Sequence, residues 1–195
     1  MKDVATFLTE VAESRLCAQI AARAGFVVPP DLCLPRALEL PIKHRWLISP
    51  VLARSEYAVH SARIGVPTSE REQIEYWFVR YGAEANWLLE TGAGVIALEI
   101  ELSLARHSLA YLAGDDWSWQ RSLHFAVLGK RHVLFEYGGG LTLPVRYPGL
   151  RLHSSNSPIL IPPSKTPSSI ELRWANLHAP LLPPPNWLRE IAGLD

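Results

Sequence analysis

Cysteine is scarce in this chain. Cys17 and Cys33 are the only two among 195 residues. That is too few for a disulfide framework, and their spacing is not that of a metal-binding pair. An excess of one charge is also missing. Nineteen Lys and Arg against nineteen Asp and Glu leave a formal net charge of zero. A strong non-specific attraction to polyanions is therefore not expected, although a local basic groove remains open. No stretch approaches the ~18 uninterrupted apolar residues of a membrane span. The opening Met1-Lys-Asp-Val-Ala-Thr6 lacks the basic start and apolar run of a signal peptide. No membrane is expected, and a cytoplasmic protein is the simplest reading. No internal repeat and no linker divide the chain, so residues 1–195 are read as a single domain.

Apolar residues are plentiful. They make up 48% of the chain against 19% charged residues, which argues for a globular domain with a sizeable core. Sixteen prolines predict long irregular connections, above all over residues 29–50, which also carry the basic cluster Arg36, Lys43, His44 and Arg45. Residues 3–24 read as a helix stopped at Gly25, followed by a short strand over 26–28. Residues 51–64 form a weaker helix pattern ending at Gly65. The clearest helix begins near Thr68, where Ser69 and Glu72 fit a capping box. Ile74, Trp77, Phe78 and Tyr81 then lie on one face, and Gly82 ends it. Asn86–Leu89 and Val95–Glu101 read as strands joined by the turn Thr91-Gly-Ala-Gly94, a hairpin signature. Residues 103–113 read as a helix closed by Gly114. Strands over 122–128 and 132–137 flank a tight turn at Gly129-Lys130, and Gly138-Gly-Gly140 breaks the pattern. Leu150–His153, Ile159–Ile161 and residues 170–174 are further strands, and residues 187–192 a last short helix. The fold class is α+β, with a mixed or mostly antiparallel sheet flanked by helices.

Side chains alternate along a strand, so Glu99 and Glu101 share a face with Val95 and Ala97. Two carboxylates at this spacing repel each other unless a cation sits between them. A divalent ion such as Mg²⁺ suits them, as the two-metal logic of phosphoryl transfer requires. The competing reading is a pair of solvent-facing acids where the strand runs out. His132, at the start of a strand after a tight turn, could bind a phosphate or nucleotide, or could be a satisfied structural histidine. His124 is a weaker candidate. Glu136 shares the strand face of His132 and could add an acid, as could Asp115 and Asp116. Trp77, Trp87 and Trp174 are expected in the core. Trp117 and Trp119 sit in a loop, where they could stack on bases or pack back onto the domain.

Taken in order, these pieces resemble the N-terminal domain of bifunctional DNA primase-polymerases, of the archaeo-eukaryotic primase superfamily. The resemblance runs over most of the chain. Gly25-Phe-Val-Val-Pro29, the helix with Ile74 and Trp77, Ala85-Asn-Trp87 and Thr91-Gly92 match its early segments. Val95–Glu101 falls on the strand of its Asp-x-Asp metal motif. Gly129-Lys-Arg-His132-Val-Leu-Phe135 falls on its nucleotide-binding motif. Pro148-Gly-Leu150, residues 159–164, Trp174 and Pro185-Asn-Trp-Leu188 match its closing segments. The resemblance implies a primase-polymerase fold with an RRM-like catalytic core. It implies Mg²⁺ or Mn²⁺ held by Glu99 and Glu101, and His132 against the incoming phosphates. Lys130 and Arg131 would steer the nucleotide.

The departures from the pattern are specific. Both aspartates of the metal motif are glutamates here, and the extra methylene moves each carboxylate where catalytic geometry tolerates little. Arg151 stands in the slot of the third acid. A cation there opposes Mg²⁺ and would instead pair with Glu99 or Glu101, or hold a phosphate. Leu128 and Lys130 replace the serine and a glycine ahead of His132. Three functions stay open. One is a degenerate relative that needs no metal and binds nucleotide, nucleic acid or a replication protein. Another is an active metal-dependent nucleotidyltransferase working on single-stranded or primed DNA. The last is a protein-interaction module. The chain ends soon after the family's tail, so a helicase partner is expected on a separate polypeptide.

Overall fold

Proline shapes the first element described. The structure is a computed structural model, and it describes residues 34–51, 64–81, 85–137, 147–154, 157–166 and 168–192. Within them α1 (Arg36–Lys43) carries Pro41 in its interior, in a stretch expected to be irregular. Proline has no N–H to give to the carbonyl four residues back, which is that of Ala37. The indole of Trp174 makes good the loss, its Nε1–H donating to the Ala37 carbonyl at 3.1 Å. A tertiary contact from the far end of the chain thus completes a helix that local sequence disfavours.

Two antiparallel sheets follow. The smaller has the order β1 (Ile48–Val51), β2 (Asn86–Leu89), β7 (Ile159–Ile161), with β2 central. The larger has the order β6 (Leu150–His153), β3 (Val95–Glu101), β5 (Lys130–Glu136), β4 (His124–Val127), β8 (Arg173–Trp174). Helix α2 (Arg71–Tyr81) precedes β2, α3 (Arg106–Ala113) follows β3, and α4 (Asn186–Ile191) comes last. The α+β expectation holds, and every named strand pair is antiparallel.

The pleat of β3 divides the core in two. Val95 and Ala97 pack with Leu134, Phe125, Trp174, the small sheet and buried residues of α1 and α2. Ile96, Leu98 and Ile100 pack with Val133, Phe135, α3, Trp119 and α4. This strand is buried on both faces over most of its length, and charge appears only at its end.

Several local expectations change. Segments β2 and β3 do not form a hairpin: β2 pairs with β1 and β7, and β3 with β5 and β6. The turn between them switches sheets instead. Thr91, buried within it, donates its hydroxyl to the carbonyls of Ser154 and Ser157. The tight turn lies one residue earlier than expected. Val127 pairs with Lys130, so Leu128 and Gly129 are the turn, at φ 45° and 80°. A two-residue turn of this hand needs positive φ at both positions, and here a leucine accepts one of them. Helix α2 is entered through Thr68, whose hydroxyl accepts the Glu70 N–H at 3.1 Å, rather than through a Ser69 box. The strand expected over 170–174 is reduced to Arg173–Trp174. Val51 ends a strand rather than opening a helix. The expected helix at 3–24, the strand at 26–28, residues 52–63, Gly82, Gly138 to Gly140 and both cysteines lie outside the described residues.

Polar side chains clamp β2 of the smaller sheet to the 164–165 turn. The Asn86 amide accepts the Lys165 N–H at 2.7 Å and donates to the Lys165 carbonyl at 2.9 Å, like an extra rung of ladder. Ser164 accepts the Trp87 N–H at 2.7 Å and donates to the Trp87 carbonyl at 3.2 Å. The expected core tryptophans Trp77, Trp87 and Trp174 are buried. Trp119 is buried too, edge-on to Trp187 at 6.4 Å, while Trp117 stays half exposed.

Gly149 locks the last residue of β3. Its carbonyl accepts the Glu101 N–H at 2.8 Å, its φ is 76°, and an added Cβ would lie 2.4 Å from the Ala105 backbone nitrogen. Gly149→Ala adds left-handed strain to overpacking against backbone, and is expected to cost about 2–4 kcal/mol in urea unfolding. A loss below about 1 kcal/mol, the ordinary level for a point change, would refute this account of the turn.

Candidate functional site

The site is built where β3 leaves the core. Glu99 stands opposite His132 of β5 on one side and Arg151 of β6 on the other. Directly opposed residues share a face, so sheet register alone brings an acid, an imidazole and a guanidinium to one side of the sheet. His153 is opposite Ala97, one pleat further along the same face. Lys130 is opposite Glu101 but reaches diagonally to Glu99, with Nζ 2.7 Å from Oε1. The other carboxylate oxygen, Oε2, lies 3.2 Å from Nε2 of His132 and 3.2 Å from Nε2 of His153. Glu99 therefore has both oxygens engaged, with a side chain only 14% exposed.

Both imidazoles are held from behind. The His132 ring stacks flat on Phe125, with centroids 4.8 Å apart and planes 3° apart. Phe125 meets Trp174 edge-on at 5.2 Å, and Trp174 packs against Trp46 at 6.3 Å. An aromatic column thus runs from the site into the core, and pairs of this kind add about 0.5–1.5 kcal/mol beyond their buried area. His153 is oriented differently, its Nδ1 lying 2.9 Å from the Ser157 hydroxyl. A ring nitrogen facing a carboxylate carries the proton, so both Nε2 atoms donate to Glu99. The Ser157 hydroxyl then donates to Nδ1 of His153, while Nδ1 of His132 is buried with no hydrogen-bond partner among the described residues.

Hydrogen bonds from His132 and His153, with that of Lys130, hold the Glu99 carboxyl far below the ordinary carboxylate range and outweigh the opposing effect of burial. The three ligand atoms of Glu99, His132 and His153 lie within 4.8 Å of one another, so together they could hold a metal ion.

The other candidates separate. Glu101 lies on the Glu99 face, where its Oε1 accepts a long 3.4 Å contact from the Ser103 hydroxyl. Arg151 is exposed, and among the described residues it forms none of the ion pairs found. The expected pairing of Arg151 with an acid is replaced by Lys130. Arg131 is opposite Ile100 and Ala126, so it sits on the reverse side of the sheet from Lys130 and His132. His124 is opposite Val133, also on that reverse side, with Nδ1 3.0 Å from the Ser122 carbonyl. Glu136 is opposite Val95, four residues and about 13 Å of strand from the level of Glu99. Asp116 caps the turn into a short 3₁₀ segment, accepting the Ser118 N–H at 3.0 Å and its hydroxyl at 2.6 Å. His153 was not among the expected site residues. The signal for it was present, because alternation puts it on the Arg151 face.

Fold and site define a domain with an interior strand, β3, whose acidic end is framed by a histidine hairpin and a proline-glycine turn. The chain belongs to the family described as bifunctional DNA primase/polymerase, N-terminal, whose model matches residues 37–187, well over half of its length. No curated protein matches it. Among the described residues, no helix is long and apolar enough to cross a membrane. The family points to nucleotide and DNA as ligands and to divalent metal ions as cofactors. The donors gathered here do not fit a pair of Mg²⁺ ions, which call for carboxylate and phosphate oxygens in octahedral array. The convergent set is one carboxylate and two imidazoles, Lys130 occupies the remaining carboxylate oxygen, and Arg151 stands opposite Glu99.

The depressed Glu99 pKa has a defined sign. The folded value lies below the unfolded one, so its contribution to stability is complete above the ordinary carboxylate range. That contribution is lost progressively as pH falls from the unfolded value through the depressed folded one. Carbon-13 NMR of the side-chain carboxyl is expected to show Glu99 still ionised at about pH 4.3, where an ordinary glutamate is half protonated. A Glu99 midpoint near that pH would show that the ring nitrogens and Lys130 do not hold it.

Proposed function

We propose that this domain is a degenerate primase-polymerase module that binds nucleotide or nucleic acid phosphates and does not transfer nucleotides. One observation carries the reading: both oxygens of Glu99, the first acid of the family's metal strand, are already engaged by Lys130, His132 and His153. An acid held in this way is poorly placed to share two Mg²⁺ ions. Arg151 adds a cation in the slot of the third acid. Lys130 and Arg151 are the groups best suited to phosphate oxygens, with His132 beside them. Arg131, on the reverse side, is suited to the path of a longer strand rather than to the same phosphate. A helicase or replication protein is the partner class that fits such a module.

A second reading has its own support. Glu99 and Glu101 keep two carboxylates on the family's metal strand. Among the described residues, Glu101 has no cation as close to it as Lys130 is to Glu99. An active, metal-dependent nucleotidyltransferase would use both.

Primer extension with pure protein separates the two. No incorporation of labelled dNTP is expected in Mg²⁺ or in Mn²⁺. Incorporation that Glu99→Ala abolishes would overturn the proposal in favour of the active enzyme. Binding of a fluorescent oligonucleotide or nucleotide is expected to persist in EDTA and to weaken with salt. Arg151→Ala and Lys130→Ala should each weaken it. Each should also lower the salt slope for a single strand by about 0.7 for every phosphate that is no longer neutralised. If neither ligand binds at all, the interaction-module reading gains, with the exposed Leu102, Leu104 and Leu128 as its first surface.

A further inference from the structure

The same cluster has a second chemical capacity that does not depend on nucleotide binding. Two imidazole Nε2–H groups point at one oxygen, Oε2 of Glu99, from the same distance of 3.2 Å. Hydrogen bonds that ran on as a chain would spread over several acceptors. Here three potential ligand atoms converge on a common point instead. Two ligands of a tetrahedral Zn²⁺, each at its usual bond length, lie roughly 3.4 Å apart. The two Glu99–histidine spacings are close to that, and with all three atoms within 4.8 Å of one another the third side has to close by no more than about 1.4 Å to reach it. All three residues project from adjacent strands of one sheet, which is a rigid platform for a site.

We propose that Glu99, His132 and His153 form a binding site for a single divalent transition-metal ion of the Zn²⁺ class, distinct from the carboxylate-held Mg²⁺ pair of the family. Imidazole nitrogen favours Zn²⁺ and its neighbours over Mg²⁺. Binding replaces two hydrogen bonds. Each Nε2 gives its lone pair to the ion, and the ring proton moves to Nδ1. At His153 that proton finds the Ser157 hydroxyl at 2.9 Å, which turns from donor to acceptor. At His132 it finds no partner among the described residues. Missing support of this kind lowers affinity by roughly 10–100-fold, so the site is weaker than a fully supported one. Lys130 competes for the same carboxylate. Its side chain is 42% exposed and long enough to swing into solvent when the ion arrives. Three protein ligands leave at least one position open for water or another small oxygen donor.

The test uses the metal alone. The chain, freed of metal, is titrated with Zn²⁺ against a chromophoric chelator, with and without excess Mg²⁺. One equivalent is expected to bind, and Mg²⁺ is not expected to displace it. Co²⁺ in place of Zn²⁺ should give visible absorption bands of low coordination number. His153→Ala should abolish the site. Ser157→Ala, which removes only a support and keeps the ligands, should loosen it by roughly 10–100-fold. Lys130→Met should tighten it by removing the competing cation. Displacement by Mg²⁺, or Zn²⁺ binding indifferent to Ser157→Ala and weakened by Lys130→Met, would overturn the proposal. Loss of oligonucleotide binding without loss of Zn²⁺ binding would count against the proposed function and leave the metal site standing.

Discussion

A buried carboxylate must be paired, and that requirement organises one end of this molecule. Taking an ionised group out of water costs several kcal/mol unless hydrogen bonds and opposite charge offset it. Glu99 sits on a strand inside the larger sheet, with neighbours on both sides, so its carboxylate cannot turn away to solvent as one on an edge strand could. Lys130, His132 and His153 meet the requirement from flanking strands. Their positions follow from register, and register follows from the apolar alternation of β3, which a slip of one residue would invert. The aromatic column behind His132 and the Gly149 turn behind Glu101 then hold that register against the core.

Much of this is legible in the sequence. The limits of β2, β3, β6 and β7 are, because each is a short apolar run bounded by turn residues. So is the shared face of Glu99 and Glu101. Three things are not. Helix α1 is hidden by Pro41, since the contact that repairs it comes from Trp174, more than a hundred residues away. The sheet switch between β2 and β3 reads as a hairpin because a glycine-rich turn between two strands has the same local signature either way. What decides is which edges other strands occupy, and that is not local. His153 is overshadowed by Arg151, the residue that departs from the family pattern, although alternation places both on one strand face.

The family's signature residues divide into two kinds once their contacts are known. Asn86, Thr91, Ser164 and Gly149 bind backbone: Asn86 and Ser164 tie the 164–165 turn to β2, Thr91 ties the sheet switch to Ser154 and Ser157, and Gly149 ties β6 to β3. Their work is to fix the scaffold, so keeping them says that the fold is kept. The residues that the resemblance sets on the metal motif are of the other kind, and on the proposed reading it is these that depart from its pattern. On the proposed reading such a division is expected, because stability constrains clamps whatever the site does.

On the proposed reading, glutamate at position 99, where the resemblance sets an aspartate, has a physical explanation. One more methylene carries the carboxylate further from the strand, to where Oε2 meets both imidazoles and Oε1 meets Lys130. A shorter aspartate on the same backbone would fall back toward β3 and would not span all three partners together. Lys130 and Glu99 therefore suit each other: the lysine in place of a motif glycine supplies the charge, and the longer acid reaches it. Arg151, left without an ion pair among the described residues, keeps its guanidinium for an outside anion. On the proposed reading, a site that once held cations to bring phosphate in now supplies its own cations, and the exposed one is the one that phosphate would meet first.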